Sequence, residues 1–211
     1  MDDQSWLPKP GPEHALLKQN VGVWDVECTY FMGPDQPPMT VKAKETVEML
    51  GQFWTIGRFV STMMGMPFAG VVQMGYDTAR RKWVGSWIDT MAPFYFLFEG
   101  DYDASGKVLT MSGLGGDMMS GQMIRYRTTE ETLASGQRRF EMFRDTPDGE
   151  SKMFSYIYTL TKAARPAKKS AASAKKSKPA SKPGKKPKAA KKPKSAKKPA
   201  KKKSGSAKKK K

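Results

Sequence analysis

The sequence predicts an all-β domain. It is an antiparallel up-and-down barrel of about eight to ten strands, led by a short N-terminal helix and followed by a disordered basic tail. Three observations carry this. Residues 65–89 hold two alternating apolar runs around a polar turn, Asp77-Thr78-Ala79-Arg80-Arg81, which is the pattern of a β-hairpin. The same alternation recurs on both sides, cut by short Gly-, Asp- and Ser-bearing turns. From Arg165 onward there are 22 Lys or Arg residues and no acidic one.

That last count divides the chain. Of 38 basic and 20 acidic residues overall, 16 basic and all 20 acidic ones precede Arg165, so a body of net charge −4 carries a strongly cationic arm. The divisions are a lead-in at 1–11, a barrel domain at 12–163 and a tail at 164–211. The body is long enough to bury a sizeable core. The tail has only alanine as an apolar side chain and cannot offset its own chain entropy.

Residues 12–20 read as one helix. Pro12 loses no donor at the first helical position, Glu13 suits the positive end of the dipole, and Gly22 can end the helix. Leu16 and Leu17 are its expected plug into the core. The first strand follows, with Trp24, Val26, Cys28 and Tyr30 on one face. Gly33-Pro34-Asp35 turns the chain. Val41, Ala43, Val47 and Met49 form the inner face of the second strand, and Gly51 breaks it. Residues 53–62 are the third, and the 65–89 hairpin supplies the next two. On it Phe68, Gly70, Val72, Met74 and Tyr76 share one face, as do Trp83, Gly85, Trp87 and Asp89. Residues 93–101, 107–114, 122–129, 138–144 and 152–161 complete the set. Short turns imply antiparallel neighbours, and a meander this long removes its exposed edges by closing. With eight to ten strands the interior is filled by side chains or holds one small ligand.

The entry Gly22-Val23-Trp24 behind a short helix resembles that of the lipocalin/calycin barrels. Gly75-Tyr76-Asp77, Trp87-Ile88-Asp89, Glu99-Gly100-Asp101-Tyr102-Asp103 and the run 109–113 resemble a bacterial domain-of-unknown-function family with that kind of barrel. The resemblance spans about residues 12–162 and implies the fold; it brings no established activity. Lipocalins set a late-strand Arg against the entry Trp. The last strand here offers only Lys162, which leaves Arg139 or Arg144 as the substitute. Related barrels that bind haem use a late-strand histidine, and His14, the single histidine, sits in the leading helix. No cofactor is expected, and His14 reads as a surface or packing residue.

The tail resembles the C-terminal arm of a linker histone. Lys185-Lys186-Pro187-Lys188-Ala189-Ala190 is followed by Lys191-Lys192-Pro193-Lys194-Ser195-Ala196 and Lys197-Lys198-Pro199-Ala200. Proline every six residues prevents a long helix and leaves the lysine pairs solvated. Lys168, Lys169, Lys175, Lys176, Lys201, Lys202 and Lys203 join those of the repeat as candidate nucleic-acid contacts. A duplex carries one charge per about 1.7 Å, so 22 cations match roughly 37 Å of it, binding by counterion release without reading sequence. A solubilising, partnerless arm and an anionic membrane are the alternatives.

Enzyme chemistry finds little support. Cys28, the single cysteine, excludes an internal disulfide and a cysteine-built metal site, and its place on an apolar face makes it a small hydrophobe. No nucleophile motif or Walker-type loop is present. Met63-Met64-Gly65-Met66, Met118-Met119 and Met123 lack the nearby histidines or cysteines of a copper site, and methionine filling or gating the barrel is the plainer reading. Asp77 and Asp103 are turn residues. Asp89 falls on the Trp83/Trp87 face, where an inward carboxylate needs a partner; Arg58, Arg125 and Arg127 are candidates. Trp54, Arg58, Trp83, Trp87, Asp89 and Arg125 therefore make up the candidate ligand cavity.

The start Met-Asp-Asp-Gln has no basic n-region, and the densest apolar run, residues 94–98, is far short of the roughly 20 residues that span a bilayer. The expectation is a non-enzymatic cytoplasmic protein, at the nucleoid where the tail meets DNA. The alternative is a carrier or sensor of a small hydrophobic ligand, with the tail only solubilising or localising.

Overall fold

The computed structural model describes residues 7–33, 35–118 and 120–163. A five-residue helix, α1 (Pro12–Leu16), tightens into a 3₁₀ turn (Leu17–Asn20). Ten strands follow: β1 (Gly22–Tyr30), β2 (Met39–Leu50), β3 (Trp54–Met63), β4 (Met66–Asp77), β5 (Lys82–Asp89), β6 (Phe96–Tyr102), β7 (Val108–Gly116), β8 (Met123–Thr132), β9 (Arg138–Thr146) and β10 (Gly149–Ala163). Each pairs antiparallel with its sequence neighbour, and β1 pairs with β10, so the barrel closes.

Antiparallel order sorts the connections into two ends. One end holds the β2–β3, β4–β5, β6–β7 and β8–β9 turns, and the chain enters β1 and leaves β10 there. Leu17 closes this end, packing with Trp83, Leu109 and Met111. Leu16 is exposed, so the expected two-leucine plug is Leu17 alone; the switch to 3₁₀ turns only one of the two inward. His14 is buried, with its ring edge-on to Phe53 and Tyr76, as a packing residue. The opposite end holds the other five connections and has no helix among the described residues.

The core follows the parity of each strand. Trp24, Val26 and Cys28 face inward from β1, and Phe59 from β3 meets Phe68, Trp87 and Tyr156, with ring centroids about 6 Å apart. Two glycines let neighbours lie flat against the wall. A Cβ on Gly70 would fall 2.2 Å from the Trp87 ring, and one on Gly57 would fall 2.5 Å from Glu45 Oε1. Asp77 and Asp103 do turn work: each accepts backbone N–H groups of its own turn. The sixth strand starts at Phe96 rather than near Pro93, because residues 90–95 form a loop tied to Asp89.

Candidate functional site

The interior has two chemically different halves. Near the closed end lies a buried charge cluster. Arg138, at the start of β9, is 6% exposed and sits between two rings, 4.3 Å from that of Trp24 and 4.5 Å from that of Tyr158. Its Nη1 donates to Glu130 Oε1 of β8 at 3.1 Å. Its Nη2 lies 3.5 Å from Glu45 Oε2 of β2, an ion pair too poorly directed to be a hydrogen bond. Nε and Nη2 have no hydrogen-bond acceptor among the described residues. Asn20 closes the circuit: its side chain donates to Glu130 at 3.1 Å, and its carbonyl accepts the Trp24 indole N–H at 2.9 Å. The helical plug, β1, β8 and β9 are thus bound through one cluster.

Glu45 and Arg138 are buried and a second carboxylate, Glu130, lies beside them, so the three cannot all ionise cheaply. Burial pushes the Glu45 carboxyl up to about 7, against the pull of Arg138. Burial works against the Arg138 charge too, but Glu130 and Glu45 outweigh it and hold the guanidinium protonated. Burial likewise raises the Tyr158 hydroxyl well above its ordinary value.

The arginine lying against the entry Trp24 is Arg138. The expectation of Arg139 or Arg144 is corrected. Arg139 points outward to Glu131, and Arg144 pairs with Asp117. Phe140 and Met142 pack into the core from β9, so a residue two before Phe140 shares their face, and that parity was the available signal. Glu45 was missed in the same way, although it lies in phase with Ala43 and Val47.

The other half is aromatic and apolar. Trp83, Trp87 and Asp89 face inward as expected, Trp83 at the closed end beside Leu17 and the other two in this half. Among the described residues Asp89 has no arginine partner. One oxygen accepts the Trp87 indole N–H and the other accepts the backbone N–H of Met91 and Ala92, all at 2.8 Å. Arg58 and Arg125 are exposed on the outer wall, the latter 3.8 Å from Asp145, and Arg127 pairs with Glu150. Trp54 also lies outside, its ring over Gly75, where a Cβ would fall 2.1 Å away. These three members of the expected cavity, Trp54, Arg58 and Arg125, are therefore corrected: each alternates with the inward Thr55, Phe59 or Tyr126.

Trp87, Phe98, Phe140 and Phe154 pack against the core clusters yet stay only half-buried. The Tyr156 hydroxyl donates to that of Tyr30 at 2.7 Å. Around this end stand Phe31, Met32, Met64, Met66, Tyr95, Met118 and Met123, all between 41% and 71% exposed. Cys28 is fully buried, and burial lifts its thiol to about 12, so it is no nucleophile. Among the described residues no group of His, Cys, Asp or Glu is arranged to hold a metal, and no helix is long and apolar enough to cross a membrane. The fifteen candidate lysines from Lys168 to Lys203 lie outside the described residues.

A family model described as "Protein of unknown function (DUF1579)" matches residues 9–159. The chain belongs to that family. The DUF1579 match covers the helix and nearly the whole barrel and stops short of the basic arm. The crystal structure of Rv2717c from M. tuberculosis is similar in fold, with a TM-score of 0.55 at 9% identity over 72% of this chain and 99% of that one. A redesigned β-barrel aligns over the same shares at 14% identity, but with a TM-score of 0.36, too loose a likeness to argue from. No curated protein matches the sequence. The expected unknown-function family and its closed barrel are thus both found, and neither match names a ligand.

Proposed function

We propose that the DUF1579 barrel is a non-enzymatic receptacle for one small apolar molecule, entering at the methionine-ringed end. One observation carries this: aromatic side chains that point into the barrel, Trp87, Phe98, Phe140 and Phe154, remain half-buried. An inward side chain that still meets solvent borders open space, and an apolar lining with few polar groups is what small-molecule sites share. The test is titration of the intact protein with N-phenyl-1-naphthylamine, a small neutral dye, with native mass spectrometry of the purified protein. Saturable 1:1 binding, or a co-purified molecule of defined mass, supports the receptacle. No saturation and no extra mass refutes it.

A second reading rests on the arm, whose 22 cations face no acidic residue from Arg165 onward. It associates with nucleic acid without sequence choice. If six to ten phosphates are neutralised, affinity for a random duplex should fall about 10³- to 10⁵-fold between 50 and 200 mM salt. The barrel closes through β1 and β10 by Ala163, so a chain ending there tests the arm's contribution. Equal duplex binding by both chains defeats this reading.

A further inference from the structure

We infer that the end of the barrel opposite the helix docks on a lipid bilayer bearing anionic headgroups. The inference rests on the receptacle reading and names where its ligand comes from. Four of the five connections at that end lift large apolar side chains into solvent: Phe31 and Met32, Met64 and Met66, Tyr95, and Met118 with Met123. The far end is built differently. Three of its four turns, Asp77-Thr78-Ala79-Arg80-Arg81, residues 103–107 and residues 133–137, are rich in Asp, Ser, Gly, Arg and Lys; at the fourth, between β2 and β3, Leu50 is 56% exposed. The far end exposes single leucines, Leu16 and Leu50, so the ring of seven is concentrated at one end, and exposed apolar surface of this kind marks an interaction site.

The β3–β4 turn shows that the ring is held at a cost. Met64 and Gly65 both have positive φ, 51° and 79°. A two-residue hairpin of that shape favours Asn-Gly, because a side chain such as methionine is strained there. The residue is nevertheless methionine, and it is the most exposed large apolar side chain described, at 71%. Folding gains nothing from a strained methionine pointing into water.

The occupant follows from shape and charge. The apolar groups stand on separate loop tips around the end that no helix covers among the described residues, a form that suits a plane rather than a groove-filling peptide. A second copy would set two like-charged bodies, each of net charge −4, against one another. Anionic lipid complements the arm's 22 cations, each worth a modest attraction near such a surface. One weak apolar contact anchors only marginally, and a polybasic segment is the usual second signal. An apolar ligand crossing between bilayer and barrel would then pass along thioethers and rings without entering water.

The test uses the full chain with large unilamellar vesicles of phosphatidylcholine, with and without one quarter phosphatidylglycerol, in a flotation assay at 0.15 and 0.5 M NaCl. The paired variant is Met64→Asn with Met118→Ser. Met64→Asn relieves the backbone strain, so the melting temperature should hold or rise, and lost docking cannot be blamed on unfolding. Anionic vesicles should float the natural chain, and the variant should bind them about tenfold more weakly, as expected for apolar area left in water. Some binding should survive 0.5 M salt in the natural chain alone. Equal flotation of both proteins would overturn the inference by assigning all binding to the arm. Duplex binding without flotation would overturn it in favour of nucleic acid, and an Met64-dependent dimer without flotation in favour of a second copy. Dye saturation without vesicles reports on the receptacle separately.

Discussion

Replacing Glu45 by glutamine should make the protein more stable in mild alkali, which is the reverse of what deleting half of an ion pair usually does. The natural carboxyl is 5% exposed, and burial raises its pKa from 4.5 to about 7. The folded state therefore binds this proton more tightly than the unfolded chain does. Its contribution to stability is full below pH 4.5 and is lost as pH rises through about 7. Moving a carboxyl over that interval is worth about 3 kcal/mol. Glutamine has the same shape and no charge to desolvate, and Arg138 keeps its better-directed partner, Glu130 at 3.1 Å. Glu45→Gln should match the natural chain near pH 5 and exceed it by up to about 3 kcal/mol at pH 8.5, roughly 6–12 °C in melting temperature for a domain of this size. Thermal melts from pH 5 to 9 read this directly. Parallel curves, or a Glu45→Gln protein that is less stable at pH 8.5, would refute the reasoning. Glu130→Gln is the counterpart of opposite sign, because it takes a charged acceptor from both Arg138 and Asn20.

Three further outcomes follow from the packing. Arg138→Met leaves the buried Glu45 and the partly exposed Glu130 without a cation and should cost about 3–5 kcal/mol in chemical denaturation. Gly70→Ala drives a methyl against the Trp87 ring, costing about 1–3 kcal/mol and shifting tryptophan emission; an unchanged spectrum would put Trp87 elsewhere. Cys28, fully buried with a thiol raised to about 12, should ignore Ellman's reagent at pH 8 until denaturant is added.

The barrel was legible because strand parity and turn residues are local signals. Trp24, Val26 and Cys28 on β1 and Phe68 on β4 take the inner faces that alternation assigns them. The polar cluster was hidden because it is assembled from β2, β8 and β9, whose cross-barrel register no local pattern states. Part of it could have been read. Glu45 interrupts an otherwise apolar face, and Arg138 is in phase with Phe140 and Met142. The same parity removes Arg58 and Arg125 as partners for Asp89, since each sits next to an inward aromatic, Phe59 or Tyr126. Asp89 itself was misjudged because its partners are the backbone of its own loop and an indole, which charge counting overlooks.

The charge cluster also decides what the interior should accept. An inward guanidinium would ordinarily invite a carboxylate. Here the invitation is already taken: Glu130 and Glu45 both lie against Arg138, and Trp24 and Tyr158 cover its two faces. A carboxylate ligand would be a third anion beside one cation, with a desolvation cost that nothing repays. The remaining Nε and Nη2 donors suit a neutral acceptor such as a hydroxyl or carbonyl oxygen. Competition against the bound dye should therefore favour 1-decanol over decanoate by about tenfold or more at pH 8.5, where Glu45 is ionised. The gap should narrow toward pH 5.5, as Glu45 takes up its proton and part of the negative charge is lost. Decanoate displacing the dye better than the alcohol at pH 8.5 would mean that Arg138 is free to pair with a ligand, and the assignment of its carboxylate partners would fail.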